Sequence, residues 1–185
     1  MAPPFGTATL RACALLAACA WHGLALAESM DELRARAERG STQAQILMGV
    51  KYYKGEGVVQ DRVEAARWCR LAAEQGDPRG QYSLGALYDA GEGVVRDHVE
   101  AAKWYRMSAE QGDARGQYSI GDMYLAGDGV AQDYVEAHRW FSLSAVAGNQ
   151  DAINARALVA EKMTSEQLAE AHRLAREWKP KTTGR

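Results

Sequence analysis

The chain has 185 residues, 47% of them apolar and 25% charged, and carries a formal charge of −2. This composition suits a folded globular chain and excludes a disordered one. A near-neutral, slightly acidic chain also lacks the basic footprint of a nucleic-acid binder.

Residues 1–27 read as a signal peptide. A polar start with one positive charge, Arg11, leads into an apolar run from Ala12 to Ala27 that ends Ala25-Leu26-Ala27. That ending is the small-x-small pattern at which signal peptidases cut. The run is shorter than the ~20 residues that span a bilayer, so no transmembrane segment is expected. The mature chain then begins at Glu28 with a charge of −3 and is exported to the periplasm or secreted. A second reading competes: Leu16-Ala17-Ala18-Cys19 has the form of a lipobox, which would leave a lipid anchor at Cys19 and tether the protein to the envelope. The short apolar stretch before Cys19, and its continuation to Ala27, favour cleavage after Ala27. In the mature chain Cys69 stands alone, so no internal disulfide or cysteine-paired zinc site is available. Stability must come from burial.

Residues 28–39 align with the second half of a repeat and predict an N-terminal capping helix. Three full repeats follow without a gap, at 40–75, 76–111 and 112–147, opened by Gly40, Gly76 and Gly112 with a period of 36 residues. Unrelated residue types recur in register: Gln45, Gln81 and Gln117, then Tyr52, Tyr88 and Tyr124, then Trp68, Trp104 and Trp140. Self-similarity at this period is the signature of a stacked-repeat architecture. Each repeat predicts two helices. Ser41, Asp77, Asp113 and Asn149 share one position and suit the cap of a first helix. Pro78 fits a first helical position. A Gly-x-Gly turn at Gly55, Gly91 and Gly127 ends that helix. The second helix starts at Asp61, Asp97 or Asp133, with Glu64, Glu100 or Glu136 three residues on, as in a capping box.

Apolar spacing is helical throughout. Gln81, Leu84, Gly85 and Tyr88 share a face of one first helix, and Val99, Ala102, Tyr105 and Ala109 share a face of the next helix. Gly49, Gly85 and Gly121 fall in mid-helix, where glycine costs up to ~1 kcal/mol relative to alanine. Their recurrence predicts a close approach of a neighbouring helix. Residues 148–179 form a partial repeat: Gln150 to Lys162 replaces a first helix, and Thr164-x-x-Gln167 opens a final amphipathic helix ending near Lys179-Pro180. Such atypical ends cap a linear stack. Residues 180–185 are expected to be a disordered tail.

The 36-residue unit, with Leu-Gly-x-x-Tyr, a Gly-x-Gly-Val turn, Asp, Ala-x-x-Trp and a closing Ala-Glu-Gln-Gly, resembles the Sel-one-like repeat (SLR) family, a branch of the tetratricopeptide superfamily. Met163-Thr164 also resembles the C-terminal cap of exported bacterial members. The resemblance implies an all-α fold, a right-handed α-solenoid of antiparallel helix pairs, and a scaffold that binds a protein or peptide in its concave groove. Cysteine-rich members with paired cysteines in each repeat have been linked to beta-lactam chemistry. This chain lacks those pairs, and the family carries no common catalytic residues.

On this reading the protein is not an enzyme and uses no cofactor. Gly-Glu-Gly-Val-Val lacks the Lys-Ser/Thr and the preceding strand of a phosphate loop. His98, His138 and His172 are far apart in sequence and predict no metal site. Cys69 takes the position of Tyr105 and Phe141 and reads as a packed thiol rather than a nucleophile. Two alternatives stay open: an envelope hydrolase (beta-lactamase-like or peptidoglycan-related), and a purely structural oligomerisation element. The groove candidates lie on one stripe of the first helices: Gln43, Ile46, Val50 and Tyr53, then Arg79, Tyr82, Ala86 and Asp89, then Arg115, Tyr118, Asp122 and Leu125. Truncating Arg79, Tyr82, Arg115 and Tyr118 to Ala is expected to abolish partner capture with melting nearly unchanged.

Overall fold

The computed structural model describes residues 29–181. The expected signal peptide, its expected cleavage point and Cys19 lie outside the described residues, as do residues 182–185. Among the described residues the fold is all-α, in nine helices. A cap helix α1 (Met30–Glu38) precedes three helix pairs: α2 (Thr42–Lys54) with α3 (Arg62–Glu74), α4 (Pro78–Ala90) with α5 (His98–Glu110), and α6 (Ala114–Ala126) with α7 (Tyr134–Val146). α8 (Gln150–Ala160) and α9 (Ser165–Glu177) close the stack.

The punctuation read from the sequence forms as hydrogen bonds. Ser41, Asp77, Asp113 and Asn149 each accept from an amide of the helix they cap. Gly55, Gly91 and Gly127 end the first helices with φ of 76°, 70° and 83°. The expected capping boxes on the second helices form only by half. Asp61, Asp97 and Asp133 do cap α3, α5 and α7. Their own amides, however, are taken by the carbonyls of Tyr52, Tyr88 and Tyr124 at 2.9–3.0 Å. With that donor spent, Glu64, Glu100 and Glu136 turn instead to Arg67, Lys103 and Arg139 one turn on. Full boxes close at the two ends, where the cap amides of Ser29 and Thr164 are free to donate to the side chains of Glu32 and Gln167.

From α1 to α8 each helix packs on the next along the chain, and α9 packs on α7 instead; the first helices also pack directly across units, α2 on α4, α4 on α6 and α6 on α8. No comparable packing joins α3 to α5 or α5 to α7 among the described residues. In a stacked array the closer-packed row lies on the inside of the curve, so the first helices form the inner row.

The joints between units repeat. Buried Gln45, Gln81 and Gln117 donate to the carbonyls of Ala37, Ala73 and Ala109, satisfying the end of the preceding second helix. Gln75 and Gln111 donate in turn to Gln45 and Gln81 at 2.7 Å. Arg34, Arg70 and Arg106 reach the hydroxyls of Tyr52, Tyr88 and Tyr124 in the next unit. Gly93 shows how tight the contact is. At φ 72° it sits so close to the carbonyl of Arg62 that any added Cβ would overlap it. Trp68, Trp104 and Trp140 are buried core residues, as their spacing predicts.

One expectation on the packed faces is corrected. Val99 is 64% exposed; it lies in the first turn of α5, beyond the reach of the neighbouring helices. Ala101, Ala102, Trp104, Tyr105, Ser108 and Ala109 form the buried face instead. Lys181, the last described residue, contacts the end of α5. The Lys181 amide donates to the Glu110 carbonyl at 2.7 Å and its ammonium pairs with the Glu110 carboxylate at 2.8 Å.

Candidate functional site: the inner face of the first helices

The inner row presents the stripe singled out in the sequence, and its members divide into two sets. One set is tied into the fold. Arg79 and Arg115 each clamp the aspartate that caps their own helix, Asp77 and Asp113, through two nitrogens at 2.8–3.2 Å. Arg115 also lies over the ring of Tyr82, 4.6 Å from its centre. Tyr82 packs on Tyr105 and Tyr118 packs on Phe141, with ring centres 5.7 and 5.6 Å apart. Asp89 accepts from the ring nitrogen of His98 at 2.9 Å. Leu125 is half-buried against Phe141 and its neighbours.

The other set faces outward. Gln43 and Asp122 are exposed, Ile46 is half-buried, and Val50 and Tyr53 are each 38% exposed. The carboxyl of Asp122 is pushed above the ordinary carboxylate range by partial burial and by the nearby charges of Asp89 and Asp128. Ring pairs contribute ~0.5–1.5 kcal/mol and an exposed cation–π contact ~0.5–1 kcal/mol. Truncating Arg115 or either tyrosine therefore weakens the fold as well as the surface. Val50 and Asp122 are the cleaner positions at which to test binding.

Val50, Tyr53, Tyr82 and Ala86 come together around a cleft of about 350 Å³ between α2 and α4. Sequence reasoning missed three of its neighbours. Glu92, in the turn after α4, holds the Tyr53 hydroxyl and raises its pKa. Arg62 lies over the Tyr53 ring and 3.7 Å from Glu92. Cys69 forms the floor. Its size against Tyr105 and Phe141 was the available signal for a gap at this place.

The chemistry around the thiol is quiet. Burial pushes Cys69 up to about 11, so it stays protonated at neutral pH and is a poor nucleophile. His138 is buried against His172, ring centres 5.1 Å apart, rather than standing in the groove. Among the described residues no group of three or more His, Cys, Asp or Glu could hold a metal ion. No described helix is long and apolar enough to cross a membrane.

These features define an α-solenoid of antiparallel helix pairs with a side-chain-variable inner face. The model of the Sel1 repeat matches residues 42–77, 78–113 and 114–149, three consecutive units that cover more than half of the chain. The protein belongs to the Sel1 repeat family, whose members are generally protein-interaction scaffolds. Two solved structures are similar. One is a protective antigen present in uropathogenic Escherichia coli strains that displays an SLR fold: 40% identity over 80% of this chain, TM-score 0.71. The chain spans 32% of that antigen's length. The other is a Sel1 repeat protein from Oxalobacter formigenes: 38% identity over 69% of this chain and 96% of that one, TM-score 0.64. No curated protein matches the chain.

Proposed function

We propose that this protein is an exported, non-catalytic scaffold that binds a protein or peptide partner along the inner face of α2, α4 and α6. The observation that carries the reading is the contrast between joint and face. Positions that join units keep their residue type, as at Gln45, Gln81 and Gln117. The stripe beside them changes from Val50 to Ala86 to Asp122 and from Tyr53 to Asp89 to Leu125. A change of chemical type from unit to unit along an open face suits recognition of one particular partner, and repeat solenoids use such extended concave surfaces for binding. Protonated Cys69 supports the non-catalytic side of the reading.

The test compares two variant groups in co-purification from the exporting host. Val50→Glu and Asp122→Lys change the inner face without touching a joint; Glu74→Lys and Lys103→Glu change exposed positions on the second helices. The purified protein should begin at Glu28 by intact mass. A partner retained by the wild type should be lost from the inner-face variants and kept by the second-helix variants, with all four melting within a few degrees of wild type. Retention of the partner by Val50→Glu and Asp122→Lys would remove the inner face as the binding surface. A lipidated Cys19 at the mature N-terminus would replace free export with membrane tethering.

A further inference from the structure

In units two and three, an aromatic ring from the second helix covers the mid-helix glycine of the first. A Cβ on Gly85 would lie 2.8 Å from the Tyr105 ring, and one on Gly121 would lie 2.9 Å from the Phe141 ring. Unit one keeps the glycine and loses the ring. Cys69 stands at that position, with Sγ 2.7 Å from where a Cβ on Gly49 would be. A thiol fills the contact with the glycine and nothing beyond it.

The space beyond it is the 350 Å³ cleft, with walls that include Gly49, Val50, Tyr53, Cys69, Ser83 and Ala86. One unit on, the same register encloses a phenol. The Tyr105 hydroxyl bonds Ser119 and lies near Asp89 and Asp122, the positions that Ser83, Tyr53 and Ala86 hold around the cleft. Helix separation at this joint is set elsewhere, by the packing of Gly93 on the Arg62 backbone and by the Gln75–Gln45 bond. These contacts do not depend on the missing ring, and the cleft remains open beside them. A largely apolar recess lined by a few convergent polar groups is the ordinary form of a small ligand site, and this volume lies at the lower end of the ~300–1,000 Å³ range, enough for one ring.

We infer that this cleft is a binding site for an aromatic side chain, a phenol above all, supplied by a partner and entering from the inner face where Tyr105 enters its own site from within. Ser83 donates its hydroxyl hydrogen to the Arg79 carbonyl at 2.8 Å, which leaves its oxygen to accept from a phenol hydroxyl. Tyr53 and Val50 stand at the mouth, each partly exposed. The inference rests on the inner face being the side that a partner approaches, but its test needs no partner.

The protein, labelled at Ala, Val and Leu methyl groups, is titrated by NMR with p-cresol, with toluene and with 3-methyl-1-butanol as an aliphatic control. p-Cresol should give saturable shifts at Val50, Ala65, Ala86 and Leu87, at least tenfold tighter than the aliphatic probe. Ser83→Ala should weaken p-cresol several-fold and leave toluene unchanged. Cys69→Tyr installs the ring that unit two carries; it should keep a cooperative melt and lose the shifts. If that variant does not fold, Ala86→Phe blocks the half-buried mouth instead and should abolish the same shifts. Unsaturated or scattered shifts, equal affinity for the aliphatic probe, or p-cresol binding that survives the blocking variant would each overturn the inference. Failure of the inner-face reading looks different: a partner still captured by Asp122→Lys, with p-cresol binding to the wild type intact.

Discussion

The interior joints and the C-terminal end of this solenoid solve the same problem with different residues. Inside, the second helix of each unit offers alanine at Ala66 and Ala102 for close packing, and offers Arg70 and Arg106 to the tyrosine hydroxyls of the next unit. At the end, α7 carries His138 and Ser142 at those two positions. The next unit has no tyrosine to receive an arginine, because Ala160 stands where Tyr88 and Tyr124 would recur. α9 folds onto α7 instead, a packing of second helices with no comparable counterpart in the interior among the described residues. His138 then meets His172 of α9, and Trp178 reaches back to the joint at Gly112. Residue identity in a repeat is thus set by what the following unit offers, and a changed residue marks a changed neighbour.

The largest effect should come from breaking an interior joint. Trp104 is 8% exposed and packs with Ala66, Cys69, Leu84 and Leu87. Its indole nitrogen has no acceptor among the described residues, as is also true of Trp68 and Trp140, so Trp104→Ala removes packing and the contact of the Lys103 ammonium with the ring, but no hydrogen bond. The cost should be about 3–5 kcal/mol. Because the repeats pack mainly on their neighbours, with the Lys181–Glu110 contact as the long reach from the C-terminal end, chemical denaturation should also lose its single transition, the first unit melting separately from the C-terminal part. A shift in midpoint with cooperativity intact would show that the stack is held by something other than nearest-neighbour joints.

A smaller effect should distinguish the end from the interior by pH. Burial first, then the charges of His172 on α9 and Arg156 on α8, lower the pKa of His138 from 6.5 to about 4. The folded state therefore holds His138 neutral while the unfolded chain protonates it. Stability should be intact above pH ~6.5, fall as the pH drops from there toward ~4, and level off below. Hydrogen exchange should place the loss in α7 and α9, with α2 to α4 unaffected in that window. His138→Ala, which copies Ala66 and Ala102, should flatten the slope whatever it does to absolute stability. An unchanged slope in that variant would assign the acid response to another group.

The contrast also accounts for what could be read from the sequence. Helix starts, turns and the joint glutamines and tryptophans were legible because each is a local rule repeated at one interval. The half-formed capping boxes were not, since the competing bond to Asp61, Asp97 or Asp133 comes from a tyrosine carbonyl of the preceding helix, a tertiary partner with no local mark. Burial of His138 depends on where α9 lies, which a broken repeat does not predict. On the inner face, Arg79 and Arg115 have the residue types of a binding hot spot, yet their guanidinium groups are engaged by the caps beside them. The stripe was visible; its division into tied and open residues depends on tertiary partners with no local mark.

The smallest effect tests whether the arginine–tyrosine bond carries weight in the interior or merely accompanies the packing. Tyr88→Phe keeps the ring beneath Arg70, 5.6 Å from the guanidinium carbon, and deletes the 2.7 Å bond to its hydroxyl. The site is half-buried and the donor is charged, so the bond is stronger than a neutral surface pair but shares its donor with water. About 0.5–1.5 kcal/mol is expected, within the usual net range. Arg70→Ala costs more, because its aliphatic stem also covers the joint. The informative quantity is the coupling between the two changes, which a double-mutant cycle isolates. A coupling of about 0.5–1 kcal/mol at Arg70–Tyr88, matched at Arg106–Tyr124, would make the bond a repeated element of the joint. It would also explain why Ser142 replaces arginine at the one unit whose successor has no tyrosine. A coupling near zero at both joints would leave cohesion to the glutamine bonds and the tryptophan packing, and the Arg-to-Ser change at the end would need no hydrogen-bonding reason, only the space that α9 takes.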